Sequence, residues 1–283
     1  MPNKVKDKII TSPFHKLLNV YSYLPELLVS FIPCFEIKNW REVWADSWGF
    51  KRSRYIIQLY NGLKYAVRGH TLDRLIIIET NLHRSYNPKG FKIGANSIIL
   101  DVGAHVGSFS IYAAKLFKNN IVYALEPDKD NHKMLLKNLE LNNLSNVHTF
   151  NVALGATSRI DKFYKSRNNT GGHSLFRWNS NYFESEKVKV ISLQEFIREQ
   201  RVSIIDFMKV DIEGGEYELI EEGDIDFLNK VKKIALEFHY IDKDRNGKKL
   251  KSYLETKGFD VRIKALPGAT RGMLYARNLT MMD

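Results

Sequence analysis

Short apolar segments alternate along most of this chain with longer segments whose apolar residues recur at helical spacing. The short runs indicate buried strands, and the spacing of three or four residues indicates amphipathic helices. This pattern predicts strands at residues 98–102, 121–126, 147–152, 204–210, 231–238, 259–264 and 272–277. It predicts helices at residues 107–118, 130–143, 192–200, 215–222 and 246–257. Strands and helices in this order predict an α/β fold with a mostly parallel, seven-stranded sheet covered by helices on both faces.

The end of the chain departs from this alternation. No helix separates the last two predicted strands, and the sequence "LPGATRG" between them is typical of a turn. We therefore expect a hairpin in which one strand runs antiparallel to the rest of the sheet. Such an ending is unlike that of a dinucleotide-binding fold.

The segment before the sheet has a different pattern. Residues 1–54 form a predicted helical accessory segment, and residues 55–283 form the main domain. The tryptophans Trp40, Trp44 and Trp48 are spaced four apart, so we expect them to form one buried helical stripe. The dipeptide Asn61-Gly62 between alternating apolar runs predicts a β-hairpin within residues 55–69.

The composition limits the class of protein. The 283 residues carry a net charge of +11, with 44% hydrophobic and 27% charged residues. Such a composition is ordinary for a globular protein. The positive charge either serves solubility or favours partners that carry phosphate, such as nucleic acid, anionic lipid or a phosphorylated substrate.

The compartment is inferred from a single cysteine and from the absence of long apolar runs. Cys34 alone excludes an internal disulfide and a cysteine-based zinc site, which favours a reducing, cytoplasmic setting. We find neither a secretory signal nor a membrane-spanning run. Residues 14–37 are apolar but interrupted by charges and prolines, so they could cap the core or rest peripherally on a membrane.

The first chemical signal is the turn "DVGAHVG", which follows the strand at 98–102. Gly103 and Gly107 would let the backbone approach a ligand closely. A pyrophosphate loop needs a glycine where this chain has His105, and the carboxylate of Asp101 would repel phosphate. A cationic ligand, such as a sulfonium with an amino-acid tail, suits this turn better.

The second signal ends the next strand. Glu126, followed by Pro127, lies about 20 residues beyond the turn, where a carboxylate can accept hydrogen bonds from both ribose hydroxyls. NAD sites and S-adenosylmethionine sites share this feature. Together with Asp101 and the missing glycine, it favours S-adenosylmethionine.

Two later strands end in further charged residues. Lys209 and Asp211 alternate onto one face of a strand, and Glu213 follows in the turn. Glu237 and His239 share a face of the next strand. Because the carboxyl ends of parallel strands meet in one crevice, we expect Asp211, Glu237 and His239 to converge. They could form a general base with its orienting carboxylate, or bind Mg²⁺ or another divalent cation.

At this point the chain resembles a known family. The segments "LDVGAHVGSFSIYAAK", "ALEPD", "NVALG" and "FMKVDIEGGEYELI" are similar in order and spacing to the FkbM family of S-adenosylmethionine-dependent methyltransferases. The resemblance extends over about residues 55–277. It implies a Rossmann-like class I methyltransferase fold and O-methyl transfer to a sugar, a glycan or glycolipid, or a glycosylated natural product.

The resemblance also implies roles for individual residues. The methyl donor would contact Asp101 and the turn residues Gly103, Ala104, His105 and Gly107 at its methionine end, Glu126 and Pro127 at its ribose, and Asn151 and Ala153 near its adenine. Asp211 would serve the donor or the reaction. Asp211, Glu213, Glu237 and His239 would face the acceptor. Apart from the resemblance, Lys209 and His173, the latter in a predicted loop at 165–187, are further candidates for binding the acceptor.

The mechanism expected from these residues is in-line displacement on an alcohol oxygen. His239 is the expected base, oriented by Glu237 or Asp211, with His173 as the second candidate. The rival activities are ribose 2′-O-methylation of RNA and binding of the donor without catalysis. Only Lys209 and Asp211 match the Lys-Asp-Lys-Glu group of the former, so the sequence does not favour a nucleic-acid partner.

Overall fold

A computed structural model of the chain describes residues 36–50, 53–166, 169–177, 182–223, 225–266 and 269–281. Predictions for residues 1–35, which include Cys34 and most of the segment 14–37, lie outside the described residues.

The described chain begins with a helix, a hairpin and a second helix. These are α1 (Trp40–Ser47), β1 (Tyr55–Gln58), β2 (Lys64–Val67) and α2 (Asp73–Asn81). The antiparallel pairing of β1 with β2 confirms the hairpin predicted around Asn61-Gly62. Helix α2 was not predicted from the sequence.

The rest of the chain supplies the main sheet and its covering helices. In chain order the elements are β3 (Ile98–Val102), α3 (Ser108–Leu116), β4 (Ile121–Leu125), α4 (Lys129–Leu141), β5 (Val147–Phe150), β6 (Ala153–Gly155), β7 (Arg159–Ser166), β8 (Tyr182–Ser192), α5 (Leu193–Gln200), β9 (Phe207–Val210), a π-helical turn (Glu218–Glu222), α6 (Ile225–Leu228), β10 (Lys233–His239), α7 (Gly247–Thr256), β11 (Phe259–Lys264), β12 (Arg271–Asn278) and a 3₁₀ turn (Leu279–Met281).

The main sheet has seven strands in the order β11-β12-β10-β9-β3-β4-β5. Strand β12 runs antiparallel to β10 and β11, and the remaining neighbours are parallel. The predicted parallel sheet with a reversed terminal hairpin is therefore confirmed, and the fold is that of a class I methyltransferase.

Both faces of this sheet are buried, as side-chain alternation along the strands requires. On one face Leu100 and Met208 pack in a core that includes Phe196 of α5 and Leu250 of α7. On the other face Ile99 and Phe207 pack with aromatic residues of α3. The sheet is thus a rigid layer, and its functional groups are confined to the strand ends.

A second, three-stranded sheet was missed by the sequence prediction. Its order is β6-β8-β7, with β8 antiparallel to β7 and parallel to β6. The predicted loop at 165–187 was therefore too long, since β7 continues to Ser166 and β8 begins at Tyr182. Both strands carry many charged residues, which hid their alternation.

The predicted tryptophan stripe is wrong for two of its members. Trp44 and Trp48 are 40% and 55% exposed. Helix α1 instead buries Val43 and Asp46. The carboxylate of Asp46 accepts hydrogen bonds from the Tyr55 hydroxyl and from the backbone N–H of His70, so a polar network holds that face inward.

The junction between the predicted segments is closely packed. The side chain of Asn39 donates to the carbonyl of Ile56 and accepts from the N–H of Gln58. The boundary at residue 54 stays a prediction. Among the described helices, none is both long enough and apolar enough to cross a membrane.

Candidate functional site

A cleft of about 1210 Å³, partly open to solvent, lies at the carboxyl ends of the central strands. Val102, Leu125 and Lys209 bring the ends of β3, β4 and β9 to its floor. This is the place where open α/β sheets bind ligands. Two regions of the cleft differ in chemistry. We name these regions after the ligands that the sequence predicts there: the donor end lies around the turn after β3 and Glu126, and the acceptor end lies around Asp211 and Glu237.

The turn after β3 is fixed by glycines whose missing side chains make room for the protein itself. Gly103 and Gly107 have left-handed φ angles of 79° and 84°. A Cβ on Gly103 would lie 1.9 Å from the carbonyl oxygen of Asp211, and one on Gly107 would lie 2.4 Å from Leu135 Cδ1. Both glycines are thus required by the packing of the protein, and a close approach of a ligand stays a prediction only for Gly103. Gly103 lines the cleft with Ala104 and His105, whereas Gly107 begins α3 behind them.

Asp101 is fully buried and lies beneath the cleft rather than in its wall. Its carboxylate accepts a hydrogen bond of 2.6 Å from the Ser110 hydroxyl and lies 3.2 Å from Lys209 Nζ. Lys209 also donates to the carbonyl of Gly103 at 2.5 Å. The Asp101–Lys209 ion pair therefore braces the turn. Contrary to expectation, Asp101 does not line the cleft, whereas Lys209 does, and the contact of Lys209 with the acceptor stays a prediction.

Glu126 is the central polar group of the donor end. One carboxylate oxygen accepts from the backbone N–H of His105 at 2.7 Å, and the other accepts from that of Asp128 at 2.9 Å. Burial raises the pKa of Glu126 to about 7. Its two oxygens are thus held in a fixed orientation at the cleft wall, where hydroxyl donors can reach their remaining lone pairs.

The predicted adenine region divides into lining and supporting residues. Pro127 and Ala153 line the cleft with Val152 and Phe163. Asn151 does not line it, because its side-chain amide donates to the carbonyls of Glu126 and Pro127, at 2.9 Å each. These apolar side chains beside a carboxylate fit a nucleoside, with the base on the apolar wall and the ribose at Glu126.

A segment at 169–177 is joined to the donor end by a polar cluster that sequence reasoning missed. The Thr170 hydroxyl lies 3.2 Å from His105 Nε2 and donates to Asp73 at 3.2 Å. The Asn131 amide donates to the Thr170 carbonyl at 3.0 Å, and Arg68 Nη2 donates to both Asn131 and Asp73 at 2.8 Å. Four of these residues come from separate elements or turns, so no local spacing could have revealed the cluster.

His105 and His173 both line this end of the cleft in their neutral form. Burial lowers the pKa of His105 to about 4, against the attraction of Asp73. Burial also lowers the pKa of His173, whose Nδ1 accepts from the N–H of Ser166 at 3.0 Å. His173 Nε2 lies 4.0 Å from Asp128, next to the residues that hold Glu126. His173 therefore lines the cleft near Asp128, while the hydroxyl of the adjacent Ser174 donates to the carbonyl of Glu213, and a contact of His173 with the acceptor stays a prediction.

The acceptor end gathers carboxylates from three parts of the chain. The Tyr86 hydroxyl donates to Asp211 at 2.8 Å and lies 3.4 Å from Glu237. Arg271 Nη1 lies 3.2 Å from the other oxygen of Glu237. Glu79 of α2 and Glu213 also line this end. The sequence indicated Asp211, Glu213 and Glu237, and it gave no signal for Tyr86, Glu79 or Arg271, which become neighbours only in the fold.

Burial raises the pKa of three of these carboxylic acids. It raises the pKa of Glu79, and it raises the pKa of Glu237 with the help of the charges on Asp211 and Glu79. It also raises the pKa of Glu213 to about 7, against the attraction of His239. Glu213 adopts a left-handed φ of 52°, a conformation that is uncommon outside glycine. A carboxylate of this pKa in a cleft can accept a proton near neutral pH.

His239 is held between two carboxylates. Its Nδ1 lies 2.9 Å from Glu216, and its Nε2 lies 3.3 Å from Glu213. Although burial alone would lower it, these carboxylates raise the pKa of His239 to about 10. His239 is also absent from the cleft wall. The geometry therefore does not support the expected base role, because an imidazolium has no lone pair to offer.

The sequence also predicts that Asp211, Glu237 and His239 could bind a divalent cation, which depends on the protonation of His239. The atoms of Asp211, Glu213 and His239 that could bind a cation lie within 4.8 Å of one another, and Glu237 is not part of this group. A histidine binds a cation in its neutral form, so a cation at this group would have to displace the proton that Glu213 and Glu216 stabilise on His239. A divalent cation at this group stays a prediction from the sequence.

The comparison with protein families gives a match over more than half of the chain. The model described as the methyltransferase FkbM domain matches residues 101–261. This range begins at the strand end under the cleft and includes Glu126, Asp211, Glu213 and Glu237.

Several curated proteins and solved structures are similar to this chain at low sequence identity. Methyltransferase 1 of Beauveria bassiana is 23% identical over 64% of this chain and 81% of its own length. Methyltransferase sdnD of Sordaria araneosa is 26% identical over 59% of this chain and 75% of its own length. Among solved structures, M. jannaschii TYW2 in complex with AdoMet has a TM-score of 0.40 and 16% identity, covering 80% of this chain and 85% of its own.

Proposed function

Because the chain belongs to the FkbM family of S-adenosylmethionine-dependent methyltransferases, we propose that it methylates a hydroxyl oxygen of a sugar, a glycan or glycolipid, or a glycosylated natural product. The observation that carries this proposal is the division of the cleft. A nucleoside-shaped end is centred on Glu126, and an end lined with carboxylates contains a group able to accept a proton.

The donor end fits S-adenosylmethionine through its own residues. Glu126 would accept hydrogen bonds from the ribose, and Pro127, Ala153 and Phe163 would pack on the adenine. The backbone at Gly103 and Ala104, braced by Lys209, would face the methionine end. When bound, the donor supplies a methyl group already activated by its sulfonium.

At the acceptor end, we assign the base role to Glu213. It lines the cleft, follows directly after β9, and has a pKa of about 7. It would take the proton of the acceptor hydroxyl as the oxygen–methyl bond forms, and His239 beside it would stabilise its ionised form in the free enzyme. Asp211, which holds the Tyr86 hydroxyl, would orient the acceptor. General-base assistance of this kind contributes about a hundred- to ten-thousandfold in rate.

The test combines donor binding with product formation. The protein would be titrated with S-adenosylhomocysteine in a calorimeter and then incubated with isotopically labelled S-adenosylmethionine and a set of sugars and glycosides. We expect micromolar donor binding and label in an ether-linked methyl group. Absence of donor binding would overturn the proposal, and label on nitrogen or carbon would overturn the assignment of oxygen as the acceptor atom.

A further inference from the structure

The acceptor end of the cleft is acidic, although the whole chain is strongly basic. Glu79, Asp211, Glu213 and Glu237 all line it, and the described lining residues also include two cations, Arg271 and Lys209, of which Lys209 is paired with the buried Asp101. The charge of His239 is engaged by Glu213 and Glu216. Burial raises the pKa of Glu79, Glu213 and Glu237, so these carboxylates need a nearby cation to be ionised together at neutral pH. Buried charges of one sign are costly unless a partner offsets them.

Glu79 is the carboxylate of this group that has no direct hydrogen bond or salt bridge with a described residue, although the charge of Arg271 favours its ionised form. It projects from α2 into the cleft, and no described residue forms a hydrogen bond or ion pair with its carboxylate. The three neighbouring carboxylates each have a direct partner. Asp211 accepts a hydrogen bond from Tyr86, Glu237 pairs with Arg271, and Glu213 contacts His239. A largely buried carboxylate that lines a substrate cleft without a partner indicates that the ligand brings one.

We propose that the acceptor carries a protonated amine near the hydroxyl that is methylated, and that Glu79, together with Glu237, binds this ammonium group. The inference rests on the proposed function and names its substrate class as an amino sugar or another amine-bearing polyol. An ammonium donates up to three hydrogen bonds and neutralises one carboxylate. Because it has no lone pair, the amine bound in this way is protected, and the hydroxyl oxygen is the nucleophile.

Other ligands would interact differently with the carboxylates of the acceptor end. A phosphorylated sugar or a nucleic acid would place a second negative charge against Glu79 and Glu237, which disfavours it. A neutral polyol would supply hydrogen bonds but no positive charge to stabilise the ionised carboxylates of the acceptor end. A divalent cation would match the charge, but then binding of the cation alone should be measurable.

The experiment compares sugars that differ at one position. Methyl glucosaminide, its N-acetylated form, methyl glucoside and glucose 6-phosphate would be tested as acceptors of label from S-adenosylmethionine. Each would be tested with the wild type, with Glu79→Gln and with the control Glu184→Gln, an exposed change on β8. Titration with S-adenosylhomocysteine would accompany each variant, and titration with Mg²⁺ alone would be run on the same proteins.

We expect the amine to be methylated at least about tenfold more efficiently than the other sugars, and Glu79→Gln to remove most of that preference while donor affinity stays unchanged. The proposal is overturned if a neutral or phosphorylated sugar is preferred, if the preference survives in Glu79→Gln, if no amine is methylated by protein that binds the donor, or if Mg²⁺ alone binds and Glu79→Gln abolishes that binding. Failure to bind S-adenosylhomocysteine would instead remove the proposed function itself.

Discussion

The two ends of the cleft are built in opposite ways. At the donor end most polar groups are paired with one another within the protein, as when the N–H groups of His105 and Asp128 both donate to Glu126 and Thr170 donates to Asp73. At the acceptor end Glu79, Glu237 and Arg271 arrive from distant parts of the chain, and their charges are only partly matched. The donor end is therefore suited to bind a ligand of fixed shape. The acceptor end is suited to recognise a group on the acceptor and to react with it.

The residues of the two ends should affect different free energies, that of donor binding at one end and that of activation at the other. Donor-end residues should change the affinity for the donor, since they bind groups that do not react. Acceptor-end residues should change the rate, since they act on a proton that moves in the transition state. Variants at the two ends should therefore separate binding from turnover.

The largest effect is expected for Glu213→Gln. Glutamine keeps the shape of the side chain but cannot take a proton, so kcat should fall by about a hundred- to ten-thousandfold while the affinity for S-adenosylhomocysteine changes little. The exposed variant Glu222→Gln in the next helical turn is the control. Steady-state kinetics with any accepted sugar would measure the change.

The pH profile of the same enzyme gives an independent check. A base must be ionised to act, and burial raises the pKa of Glu213 to about 7 in the protein without substrate, so wild-type kcat/KM for the acceptor should fall as the pH drops below neutrality and level off above it. The residual activity of Glu213→Gln should lack this step. A step that persists unchanged in the variant would assign the titrating base to another residue.

A smaller effect is expected for Glu126→Gln. The amide nitrogen would face one of the two backbone N–H groups that now donate to the carboxylate, so the turn and the ribose contact would both be disturbed. The affinity for S-adenosylhomocysteine should weaken by about ten- to a hundredfold, which corresponds to the loss of one charged hydrogen bond. Glu140→Gln, exposed at the end of α4, should bind the donor like the wild type.

The smallest effect is expected for Thr170→Val. This change removes the hydroxyl that joins the segment 169–177 to His105 and Asp73, without changing the size of the side chain. Donor affinity should weaken by about fivefold, in line with about 1 kcal/mol for a neutral hydrogen bond. Thr157→Val, on an exposed turn between β6 and β7, is the matched control, and equal affinities for the two variants would mean that the Thr170 hydroxyl does not support donor binding.

The sequence was most informative where function depends on neighbouring residues. The strand ending in Asp101, its turn and the carboxylate at Glu126 could be predicted because apolar runs and glycine spacing are local signals. The seven-stranded order followed from the alternation of elements and from the helix missing before β12. The small sheet was missed because β7 and β8 are rich in charged residues, which obscure the alternation of strands.

The chemistry of individual groups was less predictable, since it depends on partners far away in the chain. His239 looked like a base at a strand end, but Glu213 and Glu216 turn it into an imidazolium. Asp101 looked like a ligand contact, but Lys209 draws it beneath the floor of the cleft. Spacing locates a charged residue at the correct edge of the sheet, whereas its protonation and orientation follow from packing.

The most direct test of the division between the two ends is a side-by-side calorimetric titration with S-adenosylhomocysteine of the wild type, Glu213→Gln and Glu126→Gln, with kcat measured on the same preparations. We expect Glu213→Gln to bind like the wild type and to have lost most of its turnover, and Glu126→Gln to bind about ten- to a hundredfold more weakly. If the wild type does not bind, or if Glu213→Gln loses affinity as strongly as Glu126→Gln, the cleft does not divide into a donor end and an acceptor end.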